Sequence, residues 1–340
     1  KYPMEPVTGV EQRAVWSLAF LEGFFSTWEY ILGLTCFGIM TKEMLKTVPG
    51  GNIIATVIAT FAIMMWMVWR FSNTSEIRVK QLVRRMGLFR PRVSSHVAIV
   101  FVVYLVSFCF TVWFQQRGGK VLFSTSNFYD ESTGELLFEK VGDMLFLAPL
   151  REEFFFRGVM FSMIYRRMGS IEKDTWRTAV LNSGLAFGCL HAMNFFSEDG
   201  PSKLYIALQV FTGLVIGWFY TLRFIATGNI WECIALHVVH NLFASLVPKN
   251  LGNPSLYDLT FVVPALSTII IHAILARIAL KAVEKKGGFN YTVIDISTEA
   301  ATRLPAFTKS GDNHKKEMKA VEQKSGKIVE GELRRRKKNK

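Results

Sequence analysis

Apolar residues come in long, nearly unbroken runs, and charged residues come in clusters between them. A helix that spans a bilayer needs about 20 mostly apolar residues. Eight runs meet that length, roughly 15–40, 52–71, 96–114, 141–165, 178–196, 204–222, 230–247 and 259–280. The first and fourth are the least clean, because each contains acidic residues. The pattern predicts an all-α fold, a polytopic membrane helix bundle of about eight transmembrane helices. The polar segment 115–140 predicts a loop with a short hairpin. After residue 283 the runs stop. Only 16 of the 57 residues in 284–340 are apolar. Such a composition cannot bury a core, so this tail is expected to be disordered. Three regions follow: 1–140, N-terminal helices and loops; 141–283, a membrane core; and 284–340, a basic tail.

The averages for the whole chain, 50% hydrophobic and 20% charged with mean hydropathy +0.26, conceal this division. A net charge of +13 could point to nucleic acid, but the position of the charges points to the bilayer instead. Arg78, Lys80, Arg84, Arg85, Arg90 and Arg92 fall in one connection. Arg166, Arg167, Lys173 and Arg177 fall in another, and the tail holds 15 Lys and Arg against 8 Asp and Glu. With eight spans all three clusters share one side. The opposite connections are sparse: Lys42 and Lys46; Arg117, Lys120 and Lys140; Lys203; Lys249. The positive-inside bias then places both termini in the cytoplasm and 115–140 outside it. The closing GELRRRKKNK suits contact with anionic lipid or plain solvation equally. Lys1 is expected to be a trimmed start. The first run, with Glu22 and Glu29, is too long and too acidic for a cleavable signal peptide. Cys36, Cys109, Cys189 and Cys233 lie in apolar runs without CxxC spacing, which fits packing residues rather than a disulfide framework or zinc knot.

Ionisable residues inside spans are costly and are functional candidates by default. Arg151-Glu152-Glu153-Phe-Phe-Phe-Arg157 follows Pro149, a residue suited to a helix start or break. On a helix Glu153 and Arg157 pair at i,i+4. Glu152 points about 100° away, toward Phe156, with no local cation. Local geometry thus gives Glu153 a structural role and leaves Glu152 as a general base; a purely structural Glu–Arg network is the alternative. Gly184, Phe187, Gly188 and His191 share one helical face. The two glycines admit a second helix closely and bring His191 near its backbone. His237, His240, Asn241 and Ala244 share another face, on which His237 and Asn241 can both donate to one small oxyanion. For both groups the alternative is interhelical packing and hydrogen bonding. Glu22, Glu29, Asp143, Glu232 and His272 are isolated polar residues and read as structural.

EExxxR (Glu152, Glu153, Arg157), FxxxH (Phe187, His191) and HxxxN (His237, Asn241), in this order on successive membrane helices, resemble the CPBP family. These are the CAAX-protease and bacteriocin-processing intramembrane endopeptidases, a group similar to CAAX prenyl protease 2. The resemblance covers about 141–247. It implies a helical fold with a polar, water-reachable cavity, and hydrolysis of a peptide bond in a membrane-embedded or lipidated substrate, such as a prenylated CAAX C-terminus. It also implies that Glu152 and His191 activate a water while His237 and Asn241 stabilise the oxyanion, with Glu153, Arg157, Phe187 and His240 in support. No cofactor is expected. If zinc takes part, its ligands are Glu152, His191 and His237, although the compact HExxH motif is absent. The competing readings are a non-catalytic membrane scaffold or immunity protein, and a proton-coupled transporter. A scaffold has no need of all four polar residues, and a transporter should show a repeat. The expected partners are the bilayer and a membrane-bound substrate, without nucleic acid.

Overall fold

A computed structural model of the chain describes residues 9–48, 50–75, 79–88, 94–118, 124–130, 132–168, 175–196, 202–246 and 257–285. All of them belong to the first of the chain's two units, Lys1–Asn290. The tail expected to be disordered lies outside the described residues from 286 onward.

The elements are α1 (Gly9–Leu45), α2 (Gly51–Ser75), α3 (Val79–Arg85) and α4 (Ser95–Arg117). A mixed helix follows over 138–168: α5 (Phe138–Gly142), a π segment (Asp143–Leu147), α6 (Ala148–Glu153), a second π segment (Phe154–Met160) and α7 (Phe161–Met168). Then come α8 (Thr175–His191), which ends in a 3₁₀ turn (Ala192–Phe196), α9 (Lys203–Thr227), α10 (Ile230–Ser245) and α11 (Leu259–Lys285). The described residues contain no strand, and the protein is a helical bundle. Five segments are long and apolar enough to cross a membrane: Gly51–Asn73, Ser95–Arg117, Trp176–Phe196, Lys203–Thr227 and Leu259–Lys285. The protein is an integral membrane protein. The other three expected spans are helical but differ from a plain crossing: α1 carries Glu22 and Glu29, 138–168 is interrupted twice, and α10 has only 16 residues.

The first π segment has a local cause. Pro149 offers no N–H to the preceding turn, and its ring crowds the carbonyl four residues back, so the helix widens just before it. Ordinary capping shapes the later turns. Asn229 accepts from the Trp231 N–H at 2.9 Å to start α10, and Gly228 ends α9 in the left-handed region at φ 64°.

The closest crossing is that of α8 on α9. A Cβ on Gly217 would lie 2.8 Å from the Gly184 Cα, and one on Gly188 would lie 2.8 Å from both Leu214 N and Val210 O. The close approach expected for Gly184 and Gly188 therefore exists, and its partner is Gly213-Leu-Val-Ile-Gly217. Such small-residue crossings gain van der Waals contact where lipid gives no hydrophobic drive. His191 lies directly on Gly213, where a Cβ would come within 2.7 Å of its Cδ2.

Side-chain and backbone contacts fix which ends of the helices lie together. Ser124 N donates to Leu246 O at 3.0 Å, Asn127 Nδ2 to Ser245 O at 2.8 Å, and Asn194 Nδ2 to Gln209 Oε1 at 3.2 Å. The connections after α4, α8 and α10 thus share one end, called the loop end below. At the other end Ile230 N donates to Met86 O at 3.0 Å, and Arg177 pairs with Glu284 at 2.9 Å. This is the basic end, because the Lys- and Arg-rich clusters belong to its connections. The loop 115–140 does contain a minimal hairpin around the Tyr129–Leu136 bridge. Leu137 N donates to Phe128 O at 2.7 Å, and Gly134 turns the chain at φ 71°. Hydrogen bonds led by the Ser132 hydroxyl hold the Asp130 carboxyl below its ordinary pKa.

Candidate active site

α6, α8 and α10 bring the expected polar residues to one region. Glu153 and Arg157 are both wholly buried and pair at 3.1 Å. The same Glu153 Oε1 accepts from His237 Nδ1 at 2.8 Å. Arg157 Nη2 donates to Gly217 O at 3.3 Å, and its guanidinium lies 4.4 Å over the Phe187 ring. Phe187 also meets Phe156 edge-on at 5.2 Å and His237 at 5.7 Å. Phe156 of the FFF run thus packs against the charge pair, while Phe155 stacks on Tyr30 at 4.5 Å. Among the described residues, Glu153 Oε2 and Arg157 Nε have no hydrogen-bond partner. Charges buried this deeply are held by each other, and removing one strands the other.

Glu152 stands differently. Its side chain is 17% exposed, and its nearest ionic partner is His237 Nε2 at 3.9 Å, beyond direct hydrogen-bond length. His237 is therefore bracketed, with Nδ1 fixed by Glu153 and Nε2 facing Glu152. Because a carboxylate only accepts, Nδ1 carries the proton in that contact.

A cavity of about 240 Å³ adjoins this bracket, lined among others by Phe187, His191, Gly213, His237, His240 and Asn241. Glu152 is not among the residues lining it and meets it through His237. His191 comes no closer than 4 Å to either carboxylate among the described residues. Asn241 Nδ2 donates one hydrogen bond, to Met144 O at 2.9 Å, a carbonyl in the first π segment. His240 faces away from the carboxylates, toward Tyr104 at 6.0 Å and His272 at 5.6 Å.

Several residues read as isolated have partners. Asp143 pairs with Arg151, Glu29 with Arg70 at 2.5 Å, and Glu232 with Arg223. His272 donates from Nδ1 to Thr268 O at 2.8 Å, so its Nε2 accepts from the Tyr104 hydroxyl at 3.0 Å. The Tyr104 oxygen in turn meets the Tyr220 hydroxyl at 3.3 Å. Only Asp143 and Arg151, eight residues apart, and His272 and Thr268, four apart on α11, have a local spacing that could reveal them. The Gly213–Gly217 spacing was the available clue to the α8–α9 crossing.

For zinc, Glu152, His191 and His237 are donors of a suitable kind, and the Glu153 contact resembles the carboxylate that supports zinc-bound histidines. Among the described residues, however, no three of His, Cys, Asp and Glu stand together closely enough to hold one ion, so this arrangement does not fit a metal as it stands.

The chain matches no curated protein and no solved structure. Residues 138–243 match the family described as Rce1-like, type II CAAX prenyl endopeptidase Rce1-like. The match runs from the start of α5 nearly to the end of α10 and contains both carboxylates, Arg157, Phe187, His191, His237 and Asn241. Through this membrane core, residues 138–243, the chain is similar to the Rce1-like type II CAAX prenyl endopeptidase family.

Proposed function

We propose that the protein is an intramembrane endopeptidase that hydrolyses a peptide bond in a membrane-embedded or lipidated substrate, with Glu152 as general base. One observation carries this reading: of two adjacent carboxylates, Glu153 is committed to Arg157 and His237, whereas no cation among the described residues holds Glu152 at hydrogen-bond distance. The 3.9 Å between Glu152 and His237 lets one water hydrogen-bond to both. Glu152 takes a proton from that water as its oxygen bonds to the scissile carbonyl carbon. The C–N bond then breaks, and Glu152 returns the proton to the leaving amine. The developing oxyanion needs donors. Asn241 keeps a second amide N–H beyond the one given to Met144 O. His237, held through Nδ1 by Glu153, turns Nε2 toward the same space. His191, on the same cavity wall, is a further partner for the water. These steps use the chain's own groups alone.

The family description makes a prenylated CAAX C-terminus the first substrate class. A specific observation favours a second. The cavity residues His191, Tyr205, Asn241, Ala244 and Phe261 lie in the loop-end half of their helices, opposite the basic clusters. If the basic end is cytoplasmic, the cavity opens away from the cytoplasm, toward a membrane protein or peptide on that side. The test is cleavage in vesicles by the purified protein, offered a prenylated CAAX peptide or an unmodified transmembrane peptide, each with and without a strong chelator. Cleavage that persists with the chelator is expected. Failure on both peptides sinks the protease reading. Loss with the chelator and rescue by zinc replaces the glutamate scheme with a metal-dependent one.

A further inference from the structure

Tyr30, on α1, lies outside the matched stretch 138–243 and reaches the site from a separate helix. α1 is seated along the interrupted helix. Ser26 and Thr27 lie against the sulfurs of Met163 and Met160 at 4.0 and 3.9 Å, and Glu29 ties α1 to Arg70 of α2. Tyr30 itself is 2% exposed. Its ring stacks on Phe155, with centroids 4.5 Å apart and planes 5° from parallel. It also meets Phe156 edge-on at 6.4 Å. These contacts fix both the position and the plane of the ring.

Phe155 follows Arg151 by four residues and Glu152 by three, the spacings that make side chains neighbours on a helix surface. The Tyr30 hydroxyl accordingly sits within the fields of Arg151, Glu152 and Asp143. Among the described residues it is buried without a hydrogen-bond partner. Arg151 commits both Nη groups to Asp143, and its buried Nε is unpartnered too. An unused N–H, an unused hydroxyl and the uncommitted carboxylate of Glu152 thus meet in one place. Buried polar groups are rarely left unpaired. A phenol oxygen can accept from an N–H and donate its own O–H to a carboxylate at the same time. Arg151 cannot accept, and Asp143 already takes both Nη groups, which leaves Glu152 as the acceptor.

We infer that Tyr30 is a positioning residue for Glu152: its hydroxyl accepts from Arg151 Nε and donates to the Glu152 carboxylate, holding it from α1 while His237 faces it from α10. The inference rests on the protease reading above. A carboxylate held from one side turns about its last bond. Held from two sides, it presents one fixed oxygen to the attacking water. α1 then belongs to the catalytic unit.

The test uses the full-length protein in vesicles and a membrane peptide that the wild type cleaves. Tyr30→Phe keeps the ring and its stack on Phe155 and removes only the hydroxyl. It should lower kcat about 10- to 100-fold, the scale of a misplaced catalytic group, with KM within about twofold and the wild-type unfolding temperature. A double-mutant cycle separates positioning from packing. On top of Glu152→Gln, Tyr30→Phe should cost less than about twofold more, because the group it positions is gone; on top of Asn241→Ala it should cost its full factor. Infrared difference spectra give a readout free of turnover. Tyr30→Phe should shift a carboxylate band, and the shift should vanish in the Glu152→Gln background. If the wild type cleaves and Tyr30→Phe keeps its kcat with no band shifted, the inference falls and the protease reading stands. A rate loss that is the same with and without Glu152, or that comes with unfolding, makes Tyr30 a packing residue and overturns the inference as well. If nothing is cleaved yet the Glu152-dependent band shifts, the Tyr30–Glu152 contact stands and the protease reading falls.

Discussion

Two buried glutamate–arginine pairs in this bundle invite comparison. Glu232 and Arg223, 1% and 8% exposed, pair across the turn between α9 and α10 at the basic end, where Arg223 also reaches Ser94 at 3.3 Å. Glu153 and Arg157, both 0% exposed, pair within the interrupted helix 138–168. Each pair neutralises itself. Only the second has a histidine drawn onto it, a second carboxylate beside it and a cavity beyond. A buried ion pair is therefore no mark of chemistry by itself. What marks the site is the leftover group, Glu152, placed opposite a histidine whose orientation the pair has fixed.

The comparison can be broken or sharpened in order of effect. Asn241→Ala removes a donor near the candidate oxyanion position. It should cost about 100- to 1000-fold in rate, measured as kcat per folded molecule with thermal unfolding as control. Glu153→Gln and Glu232→Gln each strand a buried guanidinium and should each cost about 3–5 kcal/mol of stability, read from unfolding in detergent. Per folded molecule, Glu232→Gln should be as active as the wild type and Glu153→Gln should keep most of its rate. Gly188→Val forces α8 away from the α9 backbone. It should cost about 1–3 kcal/mol and lower the rate by shifting His191, visible by comparing thermal unfolding with turnover. Glu43→Gln breaks an exposed pair with Lys46, both side chains about two-thirds exposed. It should change neither stability nor rate measurably.

The membrane bundle was legible in the sequence because period and length determine it: runs such as 52–71 and 259–280 have no other use than α2 and α11. The Glu153–Arg157 pair was legible because i,i+4 is a local relation that survives even the second π segment. The contact of Glu153 with His237, 84 residues on, was not, because it depends on how α6 and α10 cross. The same holds for His272, which looked isolated on α11 and is tied to Tyr104, 168 residues away. Eight similar spans concealed the differences between a plain crossing, a helix widened before Pro149 and the 16-residue α10. Charge clustering indicated which ends lie together, but not that the cavity occupies the end opposite the basic clusters.

The division of labour between the two neighbouring carboxylates is tested most directly by measuring cleavage per folded molecule and thermal stability side by side for Glu152→Gln and Glu153→Gln. The account predicts that Glu152→Gln unfolds at the wild-type temperature and loses about 100- to 10,000-fold in rate, the scale of a general base. It predicts that Glu153→Gln unfolds earlier and keeps most of its rate once folded. A Glu152→Gln protein that turns over normally, beside a stable but inactive Glu153→Gln, would contradict it.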